Sequence, residues 1–287
     1  MKFSCLSKKP VKIIFWLAVV GCFLEFGGYH SGFQLSDVTY YHFSYPKKKN
    51  LLVNEYGIHF EELLHPSDYP KKWTSNPVLA DQTIVKSPDF FYDISSCFRT
   101  VLGEIKKLKI NLKQYFEYFY CFDELVVMGT PAGGTYSLEK KAIYLVITYG
   151  NGNRVSKSRI KRTFHHELSS LLMEYYNFDN KLWRAAHGEG FQYEIDKDPF
   201  YMWMYLHGHT DPIDKETLYK RGLLRQYAET GVENDFNIYA SIIFTNPRKM
   251  KRLIKEYPII QRKYEVFREF YLSIDPGFSP VFEKIEG

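Results

Sequence analysis

The chain has 287 residues, 45% of them hydrophobic and 25% charged, enough apolar material to bury a sizeable core and too much for a disordered polyelectrolyte. Its net charge of +5 comes from 38 basic against 33 acidic residues, and no basic stripe with a binding motif stands out, so no nucleic-acid partner is expected. Aromatics are 18% of the chain, with 24 Tyr and 23 Phe, which points to a Tyr-rich core or an aromatic-lined cleft.

The first element is a leader. Lys2, Lys8, Lys9 and Lys12 flank or precede the apolar run Ile13 to Val20, which Gly21 and Cys22 close. A basic segment, a short apolar segment and a small residue at the break are the parts of a secretory signal. The run falls short of the roughly 20 apolar residues of a membrane span. Val19-Val20-Gly21-Cys22 is similar to the bacterial lipobox, where the signal is cut before a cysteine that then carries lipid. On that reading residues 1–21 are signal peptide, and Cys22 tethers the chain to a membrane of the bacterial cell envelope, outside the cytoplasm. The alternative is an uncleaved anchor extended by Phe23, Leu24 and Phe26. Residues 22–60, with Lys47, Lys48 and Lys49, show no sustained period and read as a tether with one short strand; residues 61–287 form one domain.

Cys97 and Cys121 remain for the folded body, and their spacing does not decide whether they pair. No Cys-x-x-Cys pair exists, so any metal is held by His, Asp or Glu. From Asp93 to Tyr120 apolar residues recur at helical spacing (Ile94, Cys97, Val101, Ile105, Leu108, then Leu112, Tyr115, Phe116, Phe119), which predicts two helices broken near Ile110 and Asn111. Leu125 to Met128 reads as a short strand, residues 129–134 as a loop, and Ala142 to Thr148 as the strongest strand of the chain. Ser156 or Ser158 caps the helix that follows.

That helix carries Phe164-His165-His166-Glu167-Leu168-Ser169-Ser170-Leu171-Leu172. A complete His-Glu-x-x-His works because residues i and i+4 share a helix face: two imidazoles grip zinc and the Glu serves as base on bound water. Here His166 supplies one metal ligand and Glu167 the base, while Ser170 stands where the second histidine belongs. At about 100° per residue Phe164, Leu168, Leu171, Leu172 and Tyr175 share an apolar arc, with His166, Ser170 and Met173 on the other side. The plainer alternatives are structural histidines, and a Glu167 that pairs with Lys161 or Arg162. His207 and His209 have metal-like spacing in a loop, where exposed surface is the commoner case. Downstream, Lys249 to Phe270 reads as an amphipathic helix pair broken at Pro258.

From about Phe122 to Phe244 the sequence resembles the zinc-binding metallopeptidases found among bacterial envelope lipoproteins, including the substrate-import-associated zinc metallohydrolase lipoproteins. The residues that carry the likeness are His165-His166-Glu167 with Leu171-Leu172, the stretches Leu182-Trp183 and Gly190-Phe191-Gln192-Tyr193, and Glu233-Asn234-Asp235-Phe236-Asn237-Ile238-Tyr239-Ala240. The resemblance implies an α+β zincin-like domain, mostly helical with a small sheet beside the motif helix, and a zinc cofactor. It also implies a third ligand from the later helix, for which Asp235 is the first choice and Glu233 the other; beside the resemblance, His187 in the Gly-rich turn Ala186-His187-Gly188-Glu189-Gly190 is a candidate replacement ligand. Ser170 and Asn234 depart from the family pattern. Two functions follow: a zinc metallopeptidase-like envelope lipoprotein acting on a peptide or protein, or a non-catalytic descendant that binds a peptide or glycan and is associated with nutrient uptake.

Overall fold

The computed structural model describes residues 45–61, 64–76, 80–86, 91–108, 110–127, 129–148 and 153–287. The leader, Cys22 and the first part of the expected tether lie outside the described residues. The rest of that tether is structured: helix α1 (Tyr45–Tyr56) is followed by strand β1 (His59–Glu61), the one short strand expected there. Leu52, Ile58 and Phe60 are fully buried, so the core reaches back into this segment.

Helix α2 (Phe91–Leu108) begins the predicted helix pair, but the second helix does not form. Leu112–Gln114 is a single 3-10 turn, and Tyr118–Phe122 is strand β3. Its side chains alternate: Phe119 and Cys121 enter the main core, whereas Phe122 enters a second cluster with Tyr118 and Tyr120 packed against it. Five aromatic or sulfur-bearing residues with both faces buried suit a pleated strand, and the period of two overrides the helical spacing read across it. Strands β2 (Ile84–Lys86), β4 (Glu124–Val127) and β5 (Thr130–Pro131) form a small antiparallel sheet, with β5 lying inside the segment expected as an irregular loop.

Strands β6 (Gly134–Ser137) and β7 (Ala142–Val146) complete the main sheet, whose order is β1-β3-β7-β6. β3 pairs in parallel with β1 and β7, and β6 turns back antiparallel at the edge. Ile143 and Leu145 face the main core, Ala142 and Tyr144 the second cluster with Trp73. The sheet is therefore covered on both sides, which accounts for the unbroken apolar run of β7. Helix α3 (Lys157–Tyr175) packs on the sheet with β6 and β7 beneath it. Four short helices follow: α4 (Asn180–Ala185), α5 (Glu194–Lys197), α6 (Tyr201–Leu206) and α7 (Lys215–Lys220). Helix α8 (Val232–Thr245) then lies along α3, and α9 (Pro247–Glu256), α10 (Pro258–Ile274) and α11 (Ser279–Glu286) close the domain. The architecture is mixed helix and sheet, as expected. Among the described residues no helix is long and apolar enough to cross a membrane.

Candidate functional site

The motif helix α3 is held at both ends by side chains read from the sequence. The hydroxyl of Ser156 accepts the Arg159 N–H at 3.2 Å, satisfying one of the free donors of the first turn. At the other end Asn177 takes a positive φ of 49°, which asparagine tolerates better than most residues, while the Phe178 N–H returns to the Met173 carbonyl. Phe164, Leu168, Leu171 and Leu172 are buried as predicted, but Tyr175 is 46% exposed because the apolar arc leaves the core in the last turn.

The supposed polar face of α3 is not open. Helix α8 covers it, so Ser169 and Ser170 are buried. Ser170 does not wait for a ligand: its Oγ accepts a hydrogen bond of 2.6 Å from Asn237 Nδ2 on α8. One turn earlier on α8, Asn234 lies near His166 and its amide donates to Thr230 Oγ1 at 2.8 Å. His166 is half-buried with its ring 6.3 Å from that of Tyr227, which in turn meets Tyr205 of α6 at 5.5 Å. Burial and the nearby Arg225 guanidinium push its imidazole down to about 4, so it is neutral at physiological pH.

Glu167 points at the sheet edge. A Cβ placed on Gly134 of β6 would stand 3.0 Å from Glu167 Oε1 and 2.5 Å from Thr163 Cγ2, so the absence of a side chain at 134 lets the strand lie against the motif helix. Burial, then the neighbouring Glu233 carboxylate, raise the Glu167 carboxyl to about 8 against an opposing pull from Lys72. It is protonated at pH 7. Neither basic partner weighed from the sequence reaches it: Lys161 pairs with Glu104 at 3.3 Å and Arg162 donates to Ser158 Oγ at 2.6 Å.

His165, the other half of the doublet, is a structural residue. Its ring stacks on Phe244 at 4.6 Å, and its Nε2 lies 3.2 Å from Glu104 Oε2 of α2. Burial pushes Glu104 up, but the bonds to His165 and Lys107 outweigh it and hold the carboxylate down at about 2.

Asp235, expected as a metal ligand beside His166, is placed elsewhere. It is fully buried, and its Oδ2 accepts from Trp183 Nε1 at 2.9 Å, from the Tyr193 hydroxyl at 2.7 Å and from the ammonium of Lys263 on α10. His187, the alternative third ligand, joins the same cluster: its Nε2 lies 3.2 Å from Asp235 Oδ2, and its Nδ1–H donates to the Arg221 carbonyl at 2.9 Å. Residues 234 and 235 differ by about 100° around α8, and the buried Lys263 ammonium claims the carboxylate, leaving the amide of Asn234 to face His166. Burial alone would raise the Asp235 pKa, but Lys263 and His187 outweigh it and keep the carboxylate charged. Nor does the His207–His209 pair form a site: both rings lie near Trp203, at 4.5 and 5.3 Å.

The donor set does not fit a catalytic zinc. Such an ion takes three protein ligands and an open position, whereas position 170 is a serine bonded to Asn237, position 234 is an amide, and Asp235 is turned into the core. Among the described residues no group of three His, Cys, Asp or Glu side chains is arranged to hold a metal.

No family model matches the chain. No curated protein matches it either. Among solved structures it is similar to a crystal structure from Bacteroides caccae ATCC 43185 named "putative zinc-binding metallo-peptidase", with 13% identity over 88% of this chain and 94% of that one and a TM-score of 0.44. A likeness of that size carries no weight for chemistry here; the residues of the site do.

The sequence did not point to Asn237, Tyr227, Arg225 or Lys72 as neighbours of the motif. Lys263 did leave a signal, a lone cation in the apolar stripe Ile260, Tyr264, Phe267 and Tyr271 of α10.

Proposed function

We propose that this chain binds an extended peptide without cleaving it, in a cleft framed like a zinc-metallopeptidase site whose metal-binding set has been replaced. The observation that carries this reading is the hydrogen bond from Asn237 to Ser170. At the position of the second histidine Ser170 is engaged by the Asn237 amide nitrogen, while Asn237 Oδ1 meets no donor among the described residues. Near His166, where the family pattern has a carboxylate, the chain has the amide of Asn234, which donates to Thr230 Oγ1.

Peptide is the favoured class because β6 is an edge strand. Its inner side pairs with β7, its other side has no strand partner among the described residues, and Glu167 lies beside its first residue. Such an edge offers a row of backbone donors and acceptors to a strand of another chain. Catalysis is disfavoured by the state of the two motif residues. Glu167 holds its proton at pH 7, and the His166 imidazole, held down to about 4, is only a weak base for water.

The same reading puts the chain in the bacterial envelope, lipid-anchored through Cys22. The disulfide between Cys97 of α2 and Cys121 of β3 supports an oxidising compartment.

A peptide titration followed by amide NMR tests the proposal. Shifts concentrated in residues 134–137 and in α3 around Glu167, with the peptide recovered uncut, are expected. Cleavage lost on Glu167→Gln would overturn the non-catalytic reading, and shifts confined to a distant surface would overturn the site.

A further inference from the structure

The run Phe200-Tyr201-Met202-Trp203-Met204-Tyr205-Leu206 carries no charge, and helix α6 is made from it. Its two sides differ. Tyr201 is buried, and Tyr205 turns its ring toward Tyr227, the residue beside His166, so this side belongs to the domain and its cleft. At about 100° per residue Trp203 stands roughly 160° round the helix from Tyr205, with Phe200 and Leu206 about 60° to either side of it. Phe200 is 73% exposed, Trp203 54% and Leu206 43%. The indole is held in place there: His207 Nδ1–H donates to the Trp203 carbonyl at 2.8 Å, and the imidazole stacks on the indole at 4.5 Å.

Three large apolar side chains presented together on one face of a helix mark a contact surface. The bound peptide is not what covers it, because this face points away from Tyr205 and the motif. A second copy of the chain is disfavoured by size: the three side chains offer a few hundred Å², against about 800 Å² per partner in a stable complex. A bilayer asks for less area when the chain is already fastened to it. Residues 23–44 join Cys22 to α1, and at about 3.5 Å per residue even full extension keeps the domain within roughly 75 Å of a membrane that holds Cys22. Docking is then intramolecular, so a contact too weak to recruit a free protein still holds a tethered one. Tryptophan and phenylalanine settle at the headgroup boundary, and an uncharged segment places no ion there.

We propose that the face formed by Phe200, Trp203 and Leu206 rests on the membrane surface to which the chain is tethered and leaves the cleft side of α6 turned toward solvent. The inference rests on the lipid-anchored reading above and names the face that the anchored domain turns to the bilayer.

The full chain, produced with its leader in a bacterial host, is reconstituted into phosphatidylcholine vesicles, and its tryptophan emission is compared in plain and in brominated-chain lipid. Trp73 and Trp183 are fully buried and Trp16 contributes alike to every variant, so the difference between the native chain and Trp203→Phe isolates Trp203. Brominated lipid should quench the native protein severalfold more than Trp203→Phe. Phe200→Glu/Leu206→Glu, at exposed positions, keeps Trp203 and should lose most of that quenching while the protein still floats with the vesicles. Raising the salt should change nothing, since no charge takes part. Equal quenching of the native chain and Trp203→Phe, or quenching abolished by salt, overturns the docking face while flotation leaves the anchor standing. A dimer in sedimentation that Phe200→Glu/Leu206→Glu dissolves would give the face to a second copy and overturn it as well. If the protein does not float with the vesicles, anchor and docking face fall together.

Discussion

His166 and Glu167 form an uncharged pair across most of the physiological range. Burial and Arg225 hold the imidazole down to about 4, and burial and Glu233 hold the carboxyl up to about 8. The two have opposite consequences for stability. Folding keeps a proton on Glu167 that the unfolded chain, near 4.5, gives up. Its contribution is therefore fully present below that value and is lost as pH rises through about 8. Folding keeps a proton off His166, so its contribution is present above 6.5 and is lost as pH falls through about 4. Glu167→Gln should flatten the decline in stability between pH 5 and pH 8, by an amount on the order of a few kcal/mol. Urea unfolding at the two pH values checks this, and parallel declines in variant and parent would show that Glu167 is ionised at pH 7. A second residue-scale expectation concerns Lys263, whose burial lowers its pKa against the pull of Asp235. Lys263→Met should cost about 3–5 kcal/mol because Asp235 is left as an unpaired buried charge, and adding Asp235→Asn should restore much of it. A cost below about 1 kcal/mol for the single change would mean that the pair does not hold α8 to α10.

The contact between β6 and α3 decides what the motif can do. Gly134→Ala drives a methyl into Thr163 and toward Glu167, and should cost about 1–3 kcal/mol. It should also weaken peptide binding, since the strand and the carboxyl are pushed apart. A thermal melt unchanged within a degree would show that the strand is free to lift away. At this scale the sequence was legible where period and caps agree: Ser156, the apolar arc through Leu172, and the strands at 124–127 and 142–146. It misled where two periods overlap, because Tyr115, Phe116 and Phe119 sit at helical spacing although Tyr118–Phe122 alternates between two cores. The site was legible only in part for a related reason. Pattern gives the residues of α8 but not its rotation, and that rotation depends on a lysine 28 residues further on.

For the whole molecule, the disulfide joins α2 to the central strand and closes a sequence separation of 24 residues. Replacing both cysteines by serine should lower stability by about 3 kcal/mol in the loop-entropy account, read as a lower urea midpoint with the same slope. An unchanged midpoint would mean that the covalent link adds nothing beyond packing. Helix α3 thus stands on a sheet buried on both faces, α8 lies along it, and the bond from Asn237 to Ser170 joins the two helices where the proposal sets a replaced metal-binding set. Zinc binding tests that central statement most directly, by metal analysis and calorimetry on the native chain and on Ser170→His/Asn234→Glu/Asn237→Ala. The native protein should take up no stoichiometric zinc, and the triple variant should bind it. Stoichiometric zinc on the native chain, lost on His166→Ala, would contradict the account.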